Sequence, residues 1–302
     1  PSSRVAGGGG VVVVGAGRLG TALALALAEC GYEVRALVSR EAAHARRAAR
    51  RAGLKTLALG AGQLDGLPPS ELLFVTTPDR LIAEAALKLA ATPGLRGRVA
   101  LHASGALSSG ELEPLRARGF AVGSMHPLAA VSEPAAGAES LRRAFYCVEG
   151  DARAARAARR VVRDLGGRSF DIAPEAKALY HASAVLAAGH VVALFDLAAE
   201  TLGRCGLPAA RAREVLLPLV RSAVENLSAL PPARALTGSF ARGDVETVRR
   251  HLRALSELGD PDALAVYKLL GEHSLELRGR AGADSAALKL IKRALAEPGA
   301  GT

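Results

Sequence analysis

With 302 residues, half of them apolar, the chain is long enough for two domains and a sizeable core. Its net charge of +10 comes almost wholly from arginines spread along helical patterns, with aromatics only 3% of residues, which argues against nucleic acid and leaves small anionic substrates. Cys30, Cys147 and Cys205 are far apart and match no metal or redox spacing, and residues 1–10 lack the apolar run of a leader, so a cytoplasmic protein is expected.

Residues 1–10, rich in glycine, are expected to form a flexible lead. Val11–Val14 is a β-branched run that reads as a fully buried strand. Gly15-Ala16-Gly17-Arg18-Leu19-Gly20 follows, and Leu19, Ala22, Leu23, Ala26 and Leu27 then recur at helical spacing until Gly31. Strand, glycine turn and helix in that order are the context of a dinucleotide fingerprint. Gly15 permits the tight turn, Gly17 lets the backbone approach a pyrophosphate, and Gly20 lets helix and strand pack closely. The N–H groups and positive dipole end of the helix then face the phosphates, so Gly15 through Gly20 are assigned to the cofactor.

Residues 33–38 read as the second strand. An NAD enzyme carries an acidic residue at its end, about 20 residues past the glycines, to grip the ribose. Here the residues are Ser39 and Arg40, which favours NADP, with NAD the alternative. The competing view makes Ser39 a helix cap and Arg40 a solvated side chain. A helix over 41–51, a strand near Leu57 and a strand over 71–76 come next. Thr76, Thr77 and Pro78 stand at a strand end on the ligand edge and are expected beside the cofactor.

A strand over 99–101 leads into His102-Ala103-Ser104-Gly105, and Ser108-x-x-Glu111 looks like a capping box. A strand over 120–125 runs into His126-Pro127. Ser104 and His126 therefore belong at neighbouring strand ends, Ser104 beside cofactor and substrate, His126 beside substrate and as a candidate acid. Residues 144–148, a helix over 152–165 and residues 168–172 complete an α/β domain over 11–172.

From 173 the pattern is helical, giving a second domain over 173–296 and a tail over 297–302. One helix is expected from Pro174 to Leu202; its uncharged run 178–195 contains Tyr180, His181 and His190 and reads as a buried helix of a soluble protein, not a membrane span. Helices are also expected from Pro208, with Pro218 as a kink, and over 245–258, 261–278 and 286–296, Asp244 and Asp260 serving as caps. Lys177 and His181 stand at i and i+4 and share a face; either can polarise or protonate a carbonyl that is being reduced.

Together these stretches resemble a family of predicted NAD(P)-dependent oxidoreductases that joins an N-terminal Rossmann-like domain to a C-terminal helical domain of unknown function. The matching residues are the Gly15–Gly20 turn, Thr77-Pro78-Asp79, His102-x-Ser104-Gly105, His126-Pro127-Leu128, Lys177-x-x-Tyr180-His181 and Thr237-Gly238-x-x-x-Arg242-Gly243-Asp244. The family is similar to pyrroline-carboxylate reductases, ketopantoate reductases and β-hydroxyacid dehydrogenases, and its second domain to the C-terminal domain of 6-phosphogluconate dehydrogenase. In β-hydroxyacid dehydrogenases a helix carries Lys with Asn four residues on; Lys177 matches and His181 replaces the amide. The His126-Pro127 pair resembles the histidine motif of prephenate dehydrogenases.

The resemblance implies a doubly wound parallel sheet followed by an all-helical domain through which the chain dimerises. It implies hydride transfer between NADP and a small carboxylate-bearing carbonyl or imine, ketopantoate being the concrete guess. Lys177, His181 and His126 would be catalytic, and Ser104, His126 and Arg242 would hold the substrate. The competing reading is an NADP-binding sensor without turnover. No membrane partner is expected.

Overall fold

The computed structural model describes residues 10–282 and 285–297. The expected lead falls outside these residues except for Gly10, and the expected tail except for Glu297. The chain divides into two compact units, one reaching Gly189 and one beginning at His190.

The first unit holds an eight-stranded sheet: β1 (Val11–Val14), β2 (Val34–Ser39), β3 (Leu57–Gly60), β4 (Leu72–Val75), β5 (Val99–His102), β6 (Ala121–Pro127), β7 (Phe145–Gly150) and β8 (Arg168–Phe170). Their spatial order is β3-β2-β1-β4-β5-β6-β7-β8. Strands β1 to β6 are parallel, β7 runs antiparallel to β6, and β8 is parallel to β7. Order reverses beside β1, which is the switch point where such sheets bind ligands.

Among the described residues, seven α-helices accompany the strands: α1 (Arg18–Glu29), α2 (Ala42–Arg51), α3 (Ile82–Ala91), α4 (Glu113–Arg116), α5 (Pro134–Leu141), α6 (Ala152–Asp164) and α7 (Lys177–Ala187). The period of two in each strand sends alternate side chains to opposite faces. Val11, Val13, Phe74 and Leu101 pack with α1, α5 and α6, while Val12, Val14, Leu73 and Ala100 pack with α3 and α4. Burial on both faces explains the unbroken apolar runs, and each fully buried Leu or Phe contributes about 1.5–3 kcal/mol.

Three local expectations change. His126 lies inside β6, opposite Cys147 of β7, because the antiparallel partner extends pairing to Pro127. Ser108 stands at the N-cap of a 3-10 turn over Ser109–Leu112 without a side-chain cap bond, so the capping box does not form. The expected helix from Pro174 to Leu202 is a 3-10 turn over Pro174–Ala176, then α7, then α8 (Gly189–Gly203), parted at Ala188 (φ −128°, ψ −65°). Residues 174–189 therefore sit with the sheet in the first unit, with Lys177 buried there.

The second unit contains α8, α9 (Ala209–Ala229), α10 (Pro232–Ala235), α11 (Gly238–Arg242), α12 (Val245–Leu258), α13 (Pro261–Arg280) and α14 (Ser285–Ala296). Pro218 lies within α9, and the Asp244 and Asp260 side chains cap α12 and α13 as expected. Helix α11 closes on Gly243 in the left-handed conformation. Val248, Leu275, Ile291 and Leu295 form this unit's core.

The expected burial of 178–195 fails. The stretch Pro174–Gly203 is long and apolar enough to cross a membrane by composition, yet only 6% of its apolar window is buried. Leu179, Leu186 and Val192 are 77%, 64% and 69% exposed, since none of the described residues covers them.

Candidate active site

The glycine turn is held by the strand beyond it. Gly15 has φ +120°, and a methyl there would lie 2.6 Å from the Thr76 carbonyl carbon. At Gly20 a methyl would lie 1.9 Å from the Gly15 carbonyl oxygen and 2.3 Å from Thr76 Oγ1. The Thr76 hydroxyl donates to the Gly15 carbonyl at 2.9 Å, so this side chain latches the turn. At Gly17 a methyl would meet nothing within 4 Å: the backbone there borders open space.

Helix α1 opens at Gly17 with no side-chain cap and no acidic residue in its first turn, so its first N–H groups are free to meet an anion. Arg18 is exposed, Leu19 half-buried and Ala16 buried. The Thr77 hydroxyl is buried with no hydrogen-bond partner, which marks it for an outside group. Pro78 is exposed and heads a 3-10 turn over Asp79–Leu81. At the end of β2, Ser39 Oγ lies 2.8 Å from His44 Nδ1, and Arg40 is exposed beside them. The open backbone at Gly17, the uncapped helix and the orphaned Thr77 hydroxyl fit a dinucleotide.

Contacts lead from this cradle to a histidine cluster. Asp79, after β4, accepts the Ser104 hydroxyl at 2.8 Å. That oxygen also accepts the N–H groups of Ala106 and Leu107, so Ser104 is fully engaged in shaping the loop after β5. His102 is fully buried, with Nε2 2.9 Å from the Ser108 carbonyl, and its Nδ1 accepts the Ser104 N–H. A neutral ring protonated on Nε2 satisfies both bonds, and burial pushes its pKa down to about 4.

Gly105 comes next, where a methyl would lie 2.4 Å from His181 Cδ2 and 2.8 Å from His126 Nε2. The chain approaches both imidazoles so closely that only glycine fits. His126 packs edge-on against Tyr180 and His181, each at 5.6 Å between ring centroids, and its Nδ1 is 2.7 Å from the Tyr180 hydroxyl. Burial, then the neighbouring His181, Lys177 and His102, push His126 down to about 4, so it is neutral at pH 7. His126 Nε2 has no hydrogen-bond partner among the described residues.

Lys177 is fully buried. Its ammonium donates to the Ser104 carbonyl at 3.0 Å and to Ser124 Oγ at 2.6 Å, clamping the loop after β5 to β6. Burial lowers its pKa, against the pull of Cys147, Glu149 and Asp79. The described residues thus bring His126, His181 and Ser104 together, with Lys177 behind them. Arg242 lies exposed at the end of α11 in the second unit. Sequence reasoning missed Asp79, Tyr180 and Ser124 as partners, and His44 beside Ser39. Tyr180 lay in plain view one residue before His181, and its spacing of i+3 from Lys177 was the available signal.

Two family models match the chain. Residues 5–127 match a Rossmann-like domain model. Residues 144–274 match the model of a domain of unknown function, DUF2520. The chain is thus similar to a Rossmann-like domain over its first part and to DUF2520 over its second. The DUF2520 match starts beside β7, so it takes in β7, α6 and β8 as well as helices of the second unit.

No curated protein compared with the chain matches it. Among solved structures, protein TM1727 from Thermotoga maritima is 26% identical with a TM-score of 0.69, covering 90% of this chain and all of its own. A putative NADP oxidoreductase from Bacteroides fragilis is 24% identical with a TM-score of 0.71, over 88% of this chain and 97% of its own. The 1-pyrroline-5-carboxylate reductase of Streptococcus pyogenes is 16% identical with a TM-score of 0.58, over 96% and 99%. These likenesses extend over both domains and establish the fold.

Proposed function

We propose that the chain is an NADP-dependent oxidoreductase acting on a small carboxylate-bearing carbonyl or imine. The observation that carries this is the run of contacts from the glycine turn through Thr76, Asp79 and Ser104 to Gly105, where His126 and His181 meet. A dinucleotide cradle and two imidazoles are thereby tied to one edge of one sheet. The putative NADP oxidoreductase and the pyrroline-carboxylate reductase that share the fold lend support.

In this reading Gly17 and the α1 N-terminus receive the pyrophosphate, and Ser39, Arg40 and His44 receive the ribose 2′-phosphate. The bound cofactor supplies hydride to the substrate. His126 polarises the reacting oxygen or nitrogen through Nε2, and the half-exposed His181 beside it handles the proton. The acid role expected of Lys177 passes to these imidazoles, because its ammonium is engaged with Ser104 and Ser124; Lys177 is a positioning residue. Arg242 remains the candidate for the substrate carboxylate.

We also infer that a second copy of the chain covers the exposed apolar face of α8, and that the free thiols Cys30, Cys147 and Cys205 suit the reducing cytoplasm. Loss of NADPH absorbance with a panel of 2-keto acids and cyclic imines tests the reading. Turnover that falls in His126→Gln supports it. Tight NADPH binding without turnover on the whole panel favours a non-catalytic sensor.

A further inference from the structure

We propose that Tyr180 is a positioning residue that locks His126 in the tautomer protonated on Nε2, making the nitrogen beside Gly105 a standing hydrogen-bond donor. Its use in polarising substrate rests on the oxidoreductase reading; the tautomer itself does not.

A neutral imidazole has one donor and one acceptor nitrogen. The Tyr180 hydroxyl lies 2.7 Å from His126 Nδ1, and its side chain has no other hydrogen-bond partner among the described residues. The phenol proton is satisfied only if Nδ1 accepts it. The imidazole proton then resides on Nε2. The opposite arrangement, Nδ1–H donating to the phenol oxygen, strands the phenol proton in a half-buried setting, at a cost.

The imidazolium is excluded by its surroundings. Lys177 and His181 face His126 from α7, and His102 from β5, and all three work against a positive charge there. No carboxylate among the described residues is bonded to His126. Tyr180 is fixed in turn: its ring packs against Phe170 of β8 at 5.8 Å, and burial holds its pKa far above neutrality, so it remains a donor. Gly105 leaves the Nε2 edge clear of side chain. The pattern matches the general rule that the bond made by one ring nitrogen sets the role of the other.

The test is two-bond 1H–15N correlation NMR of protein labelled with 15N-histidine, His126 being assigned by its loss in His126→Gln. Wild type is expected to show the Nε2–H pattern from about pH 5 to about pH 8. In Tyr180→Phe, which keeps the packing against Phe170, the Nδ1–H form should appear in exchange. A wild-type spectrum dominated by Nδ1–H, or a Tyr180→Phe spectrum identical to wild type, overturns the proposal. Should Tyr180→Phe fail to fold, the wild-type spectrum alone decides. No nucleotide or substrate is needed, so failure of NADPH binding would sink the functional reading and leave this result standing. With an active substrate, Tyr180→Phe should lower kcat about tenfold or more with the NADPH Kd unchanged.

Discussion

Replacing Gly17 and Gly20 separately by alanine distinguishes a nucleotide cradle from an ordinary tight turn. At Gly17 the backbone is extended (φ −76°, ψ −172°), a conformation that alanine adopts freely, and the new methyl meets nothing within 4 Å. Alanine is a poorer N-cap than glycine, but it loses less chain entropy on folding; the two effects nearly cancel, to within about 0.5 kcal/mol. At Gly20 the methyl falls 1.9 Å from the Gly15 carbonyl oxygen, which is backbone and cannot swing away. Overpacking of this kind costs about 1–3 kcal/mol, or roughly 2–12 °C in Tm for a domain of this size. Thermal denaturation followed by circular dichroism should therefore show Gly17→Ala near wild type and Gly20→Ala lowered. NADPH fluorescence titration should show the reverse emphasis: Gly17→Ala places a methyl where the pyrophosphate must approach and should weaken binding at least about tenfold, or 1.4 kcal/mol. A Gly17→Ala protein with wild-type Tm and wild-type NADPH affinity would refute the cradle.

Three further outcomes follow from the buried groups and the exposed helix. Lys177→Ala should cost about 2–5 kcal/mol of folding stability, measured by urea denaturation, because it empties a fully enclosed site between β5 and β6; unchanged stability contradicts the burial. His102 binds its proton near pH 6.5 when unfolded and near 4 when folded, so its contribution to stability is whole above about 6.5 and falls by about 3 kcal/mol as pH drops to about 4; His126 acts over the same window, and the slope should shrink, without vanishing, in His102→Asn. Light scattering at micromolar concentration should report a dimer, and a monomer would remove the proposed cover of α8.

The features legible in the sequence are local. The run Val11–Val14, the glycines and the apolar stripe of α1 specify strand, turn and helix within twenty residues or so of chain, and both faces of the strand are buried as its unbroken apolar character demands. Asp244 and Asp260 announced α12 and α13 because a cap acts on residues two or three places away. What escaped depends on distance along the chain. Nothing in β7 itself announces antiparallel pairing with β6, yet that pairing draws His126 into the strand. The break at Ala188 falls just before Gly189, a weak helix former whose local signal is masked by the apolar helical pattern on either side.

At the site the same distinction holds. His126, Ser104 and Lys177 were recognisable as strand-end and helix-face residues, but not the bonds between them. Lys177 reaches Ser104 and Ser124 across long stretches of chain, so the engagement of its ammonium there shows only in the fold. Ser104 looked like a ligand contact and is occupied by Asp79 and two backbone N–H groups. The exposure of Leu179, Leu186 and Val192 reverses the burial inferred from composition, since an apolar helix reads alike whether its own chain or a second molecule covers it.

Fluorescence titration of the wild-type protein with NADPH and with NADH asks directly whether the glycine turn at β1 holds NADP. Saturable binding of both is expected, NADPH the tighter, with the preference lost in Arg40→Ala as the 2′-phosphate loses its guanidinium. Binding of neither nucleotide, or equal affinities that Arg40→Ala leaves unchanged, would contradict it.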